Sequence, residues 1–205
     1  MANTNTPFGL KPFRGGGGYE WNEQGSVYSI PTSDSTNAYY LYDAVKAAAS
    51  GDTNGVANVT KCAGTDAIRG SIVGILQPYP QASIQGVALS LETPYVPAVK
   101  ASPYFVLVLD DPTTMYEIQD DGITTGNLVA ASCNLNSTLT ITAGATPNNY
   151  SGTVLLSSSF AATATFNIKL VGLMQIPGNV YGAYAKWQCR INTSDLAGPT
   201  GGTGV

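Results

Sequence analysis

The chain has 205 residues, enough for one large domain or two small ones and for a core that removes about 70% of the unfolded surface from water. Charged residues make up only 11% of it, and nine Lys and Arg against thirteen Asp and Glu leave a formal charge of −4. That balance argues against a nucleic-acid partner, which needs a basic surface to displace counterions from phosphates, and the absence of histidine removes Ser–His and Cys–His nucleophile pairs and every His-ligated metal site.

Residues 1–25 read as an N-terminal arm. Gly15-Gly16-Gly17-Gly18 predicts a flexible joint, because four consecutive glycines hold a regular element only at high entropic cost. Aromatic and apolar anchors flank it: Phe8, Leu10, Pro12 and Phe13 before, with Arg14 beside them, and Tyr19 and Trp21 after. Disordered tails are poor in such residues, so the pattern predicts an arm that orders against a partner. No apolar h-region follows Met1, and no run reaches the roughly 18 apolar residues of a membrane span, so neither a secretory signal nor a membrane partner is expected.

From residue 26 the signals are those of strands. Ser26 to Ile30 alternates, and Pro31 with Ser33-Asp34-Ser35 makes a turn. Residues 38–50 are ambiguous, the alanines favouring a helix and the tyrosines a strand. Turns at Gly51-Asp52 and Asn54-Gly55 precede strands at Val56 to Lys61 and Gly70 to Leu76. The proline-rich 77–103 predicts a long irregular connection with a short edge strand at Val87 to Leu91, a surface excursion touching a neighbour. Tyr104 to Gln119 predicts a hairpin turning at Asp110 to Thr114, with Tyr116 and Ile118 on one face and Glu117 and Gln119 on the other.

The second half keeps this rhythm. Leu135 to Thr142 alternates and Thr146 to Asn149 is a turn; Thr163 to Leu170 places Ala164, Phe166, Ile168 and Leu170 on one face. Ala183 to Ile191 puts Ala183, Ala185, Trp187, Cys189 and Ile191 inward, with Tyr184, Lys186, Gln188 and Arg190 outward. Residues 198–205 read as a flexible Gly-rich tail. The expectation is an all-β domain over 26–197, a barrel or sandwich of roughly 8–12 short antiparallel strands with an extended N-terminal arm.

Candidate chemistry is sparse. Asp110, Asp111, Glu117, Asp120 and Asp121 form the one acidic cluster, but one strand separates the two Asp pairs by about 17–20 Å, too far for a glycosidase pair. The run from Asp110 to Thr114 does not match a calcium-loop spacing, so they read as solvated turn aspartates, with calcium at a subunit contact as the rival. Cys62, Cys133 and Cys189 are far apart and read as small buried thiols. Tyr39, Tyr40 and Tyr42 read as a half-buried strand, with a sugar-stacking surface as the rival. No catalytic residue, metal or cofactor is expected, and the chain does not read as an enzyme.

Four stretches together carry a resemblance: MANTNTPFGLKPFR from Met1, YFVLVLDDPTTMYEIQDDG from Tyr104, FNIKLVGLMQIPGN from Phe166 and GAYAKWQCRINTSDL from Gly182. In order and spacing they resemble tailed-bacteriophage virion proteins of the capsid decoration, or cement, type. The Gly run departs from relatives, whose arm continues with charged or His-containing residues. The resemblance implies a mostly-β protein made in the host cytoplasm and bound in many copies to the outer surface of the icosahedral head, which it stabilises. Its partners would be the major capsid protein and copies of itself, as dimer or trimer; it also tilts 38–50 toward strand. Phe8, Leu10, Pro12, Phe13, Arg14, Tyr19 and Trp21 are the candidate capsid- or subunit-binding residues. The rival from another class is a head-fibre or tail-associated adhesin that binds host surface glycans through its tyrosines.

Overall fold

A computed structural model of the protein describes residues 3–22, 24–76, 94–123, 129–144 and 148–196. It is all-β, with two short 3-10 turns and no α-helix among the described residues. The strands are β1 (Lys11–Arg14), β2 (Ser26–Ile30), β3 (Ala44–Gly51), β4 (Ala57–Lys61), β5 (Gly70–Ile75), β6 (Tyr104–Leu109), β7 (Met115–Gln119), β8 (Asn136–Ser137), β9 (Leu139–Thr140), β10 (Val154–Leu155), β11 (Ile168–Leu173) and β12 (Lys186–Ile191). Five close a barrel in the order β2-β4-β3-β5-β6, and five form a sheet in the order β1-β7-β12-β11-β8.

The barrel closes because its strands are apolar enough to bury one face and cover much of the other. Tyr28, Ile30, Val45, Val59, Ile72, Val106 and Val108 fill the interior. Most pairings are antiparallel as expected, but β2 meets β4 in parallel, with Ser29 opposite Asn58. A second, larger core joins the barrel wall to the sheet: Ala44, Cys62, Ile68 and Leu109 pack with Tyr116, Ile118, Ile168, Leu170, Trp187 and Cys189. Sheet and barrel therefore share apolar surface. Within residues 38–50, the strand reading holds from Ala44 onward; the backbone leads into it through Tyr42, held at a φ of 66°.

Four expectations are corrected. Tyr104–Gln119 is not a hairpin: β6 pairs with β2 and β5 in the barrel, while β7 pairs with β1 and β12 in the sheet. The turn at Asp110 to Thr114 carries the chain between the two units, and only tertiary partners distinguish that path from a hairpin. The strand predicted from Thr163 begins at Ile168; Ala164 is exposed, and a turn hydrogen bond runs from Phe166 N to Thr163 O.

The arm is the third. Residues 3–22 are not a segment outside the fold, since β1 is the edge strand of the sheet, pairing Lys11 with Glu117 and Pro12 with Tyr116. An edge is where proline is tolerated, because its missing N–H faces no partner. The fourth is the Gly run, which is a packed turn and not a joint. Gly15 N donates to Tyr19 O at 2.9 Å and Gly18 N to Gly15 O at 3.0 Å. The Tyr19 ring lies so close over Gly15 that a Cβ there would meet it at 2.3 Å, and one on Gly16 would meet the Thr113 side chain at 2.2 Å. The expected edge strand at Val87 to Leu91, part of the turn at Thr146-Pro147 and the tail at 198–205 lie outside the described residues.

Candidate functional site

The N-terminal segment is built from its first residues upward. Asn3 clasps the loop before β12: its amide donates to Val180 O at 2.8 Å and Ala183 O at 3.0 Å, and its oxygen accepts from Val180 N. Thr6 N donates to Gln119 Oε1 at 3.0 Å while Gln119 Nε2 donates to Thr4 O at 2.7 Å. The Phe8 ring sits beneath the Lys186 ammonium, 5.4 Å from its centroid. These contacts lay residues 3–8 over the far face of the sheet, which is why Gln119, on the face opposite Tyr116 and Ile118, is nevertheless fully buried.

Gly9 makes the next step possible. Its φ is +81°, and a Cβ on it would sit 2.4 Å from Tyr42 O; that close approach lets Leu10 N donate to the same carbonyl at 2.9 Å. Leu10 is then completely buried and its own carbonyl accepts from Ser71 Oγ at 2.6 Å. Burial of such a side chain stabilises the fold by about 1.5–3 kcal/mol.

The seven candidate binding residues therefore separate. Leu10 and Pro12 are buried within the chain's own fold, and Phe8 and Phe13 are half-buried. Arg14 and Tyr19 are exposed, Tyr19 by 58%. Trp21 is partly buried against the larger core and donates from Nε1 to Gln24 O at 3.2 Å. Tyr19 and Trp21 line a cavity of about 260 Å³ together with Asp110, Asp111 and Thr114. The structure thus joins part of the arm to part of the acidic cluster. Asp110 Oδ2 accepts from Tyr28 OH at 2.8 Å, and Asp111 Oδ1 accepts from Thr113 N and Oγ1. Burial, and to a lesser degree the Asp110 carboxylate, raises the Tyr28 phenol above its usual value, although Arg69 opposes this.

The rest of the acidic cluster lies elsewhere. Asp120 is not a solvated turn aspartate: it is fully buried, accepting from Trp187 Nε1 at 3.1 Å, Tyr184 N at 2.8 Å and Gly122 N at 2.9 Å. Burial holds its carboxyl above the ordinary aspartate value despite those donors. Asp121 accepts from Ser157 Oγ at 2.6 Å. Among the described residues no group of three Cys, Asp or Glu side chains converges as a metal site.

The tyrosines divide in the same way. Tyr39 is fully buried in the barrel and donates to Asp34, while its oxygen accepts from Lys61 N at 3.2 Å. It presents no ring to a sugar. Tyr40 stacks on Tyr95 and Tyr42 on Tyr150, with centroids 5.3 and 5.5 Å apart, and these rings are at least partly exposed. Behind them Lys61 and Asp43 form a buried ion pair at 2.8 Å. Sequence reasoning did not find that pair, and its signal was weak: an Asp beside a tyrosine run and a Lys at a strand end. Of the thiols, Cys62 and Cys189 are buried as expected, but Cys133 is only half-buried, 3.8 Å from Tyr181 OH.

Comparison of the chain with family models, with curated proteins and with solved structures found no match.

Proposed function

We propose that this protein is a tailed-bacteriophage capsid decoration protein of the cement type, bound in many copies to the outside of the icosahedral head and bridging neighbouring shell subunits. The reading begins from the four stretches that resemble such proteins. The structural observation that carries it is the N-terminal turn, where a tyrosine is held 58% exposed by a glycine turn packed beneath its ring. An aromatic side chain fixed in advance loses little freedom when a partner covers it, which favours binding. On this reading the protein acts through binding energy alone, many modest contacts adding up over the lattice.

Quantitative mass spectrometry of purified virions tests it. Many copies in a simple ratio to the major capsid protein are expected, and absence from the particle would overturn the reading. Because β1 and Leu10 belong to the fold, deleting the N-terminus would damage the domain. The matching binding test is Tyr19→Ser, expected to weaken attachment to heads while leaving the fold intact.

A second reading, a head-fibre or tail-associated adhesin for host glycans, is favoured by the two stacked tyrosine pairs. It predicts low copy number and saturable polysaccharide binding that is lost on substitution of Tyr40 or Tyr150. Tyr39, being buried, is no test of it.

A further inference from the structure

Five of the nine cationic side chains, Lys11, Arg14, Lys169, Lys186 and Arg190, stand on one surface, the face of the five-stranded sheet turned away from the core. Strand register sets them in rows. Across one row Arg14 pairs with Met115, Met115 with Arg190, and Arg190 with Lys169. Arg190 and Lys169 are thus directly opposite, an arrangement that destabilises a sheet when the charges are alike.

The remaining cations are placed differently. Lys46 pairs with Asp66 at 2.7 Å, Lys61 with Asp43 at 2.8 Å and Arg69 with Asp195 at 2.7 Å. Lys100 is buried, donating to the carbonyls of Asp34, Asn37 and Ala98. Among the described residues, two carboxylates stand across a backbone pairing from cations of this face, Glu117 from Lys11 and Glu20 from Arg14. Glu117 is 4.0 Å from Lys186, and Glu20 lies across the N-terminal turn from Arg14 without forming an ion pair. Neither forms an ion pair with Arg190 or Lys169, and the Lys169 ammonium instead donates to Asn134 O at 2.6 Å. That pair of cations opens on a cavity of about 420 Å³ lined also by Pro112, Thr113, Asn192 and Ser194. The N-terminal segment covers the Lys186 end of the face and leaves this end open.

We propose that the open end of the sheet face, centred on Lys169 and Arg190, docks a carboxylate-rich patch of a partner protein; on the decoration reading, from which the partner's identity is taken, that partner is the shell subunit. A protein patch fits better than a nucleic acid. The chain as a whole is negative, and a long polyanion would meet that charge beyond the face, whereas screening over about 8 Å confines a small acidic patch to the cations it touches. Met115 within the row and Pro112 at the cavity, both partly exposed, supply the apolar surface of a protein contact.

The test sediments heads lacking the protein with wild type and with Lys169→Glu/Arg190→Glu, and passes both over immobilised poly-glutamate. Binding of the variant to both is expected to fall at least about tenfold, and wild-type binding is expected to weaken with added salt. Wild-type affinity of the variant for heads would overturn the docking face and leave the decoration reading standing. Failure of wild type on heads, with poly-glutamate retention that the variant loses, would overturn the decoration reading and keep the face. Elution from poly-glutamate by equal charge of duplex DNA would overturn the choice of carboxylate, and self-association abolished by the charge reversal would make the occupant a second copy. Circular dichroism checks the variant's fold; if it is unfolded, Arg190→Gln, expected to give a smaller loss in the same direction, decides the same comparison.

Discussion

Trp187 and Asp120 meet in the larger core, the indole N–H donating to the carboxylate at 3.1 Å with both side chains fully buried. Two backbone N–H groups, of Tyr184 and Gly122, point at the other carboxylate oxygen. One carboxylate therefore fixes the loop before β12, the end of β7 and the largest side chain of the core.

Replacing it should be costly. Asp120→Asn sets an amide NH2 against N–H donors, so a loss of about 1–3 kcal/mol is expected in urea unfolding. The pH dependence has a definite sign. Because burial raises the Asp120 carboxyl in the folded protein above 3.8, its contribution is fully present below that value and is lost as pH rises through the folded value. The advantage of wild type over Asp120→Asn should narrow from acid toward neutral pH. A gap that widened would contradict this assignment.

Leu10→Ala should destabilise the protein by about 2–5 kcal/mol, the cost of truncating a buried leucine in a packed core. Equilibrium denaturation measures it. A near-silent substitution would mean that the N-terminal segment detaches in solution.

The thiols should react in two classes. Burial raises Cys62 and Cys189 well above the ordinary thiol value, whereas Cys133 is half-buried. Ellman's reagent is expected to titrate one thiol in the native protein and all three in denaturant.

Arg190→Gln removes a like charge from opposite Lys169. A gain of a few tenths of a kcal/mol is expected, within the roughly 0.2–1 kcal/mol span of cross-strand pair effects. A thermal melt at low and high salt checks it, since the gain should shrink as salt screens the repulsion.

Alkaline titration gives a further sign. Burial raises the phenols of Tyr39 and Tyr116 in the folded chain above the usual 10.0. Their contribution is complete below 10.0 and disappears as pH climbs past it. Phenolate absorbance should report these two only as the protein unfolds.

What the sequence alone determined follows from local periodicity. The alternation in Lys186 to Ile191 placed Trp187, Cys189 and Ile191 inward and Lys186, Gln188 and Arg190 outward, and the apolar runs of β5 and β6 marked walls of a core. These features need only a backbone of period two and the hydrophobic effect. Partners were decided by tertiary structure. Whether Met115 pairs back onto Leu109 or out to Arg190 depends on which apolar faces bury together, and nothing within 104–119 records that choice. For the same reason the Gly run read as a joint until Thr113 and the Tyr19 ring were seen packed against it. Asp120 read as a turn residue because the donors that fix it, Trp187 and Tyr184, lie more than sixty positions away. The row of cations is the same case: Lys169 and Arg190 are outward by alternation, but only strand register sets them side by side, and only the register shift in β1 brings Arg14 into their row.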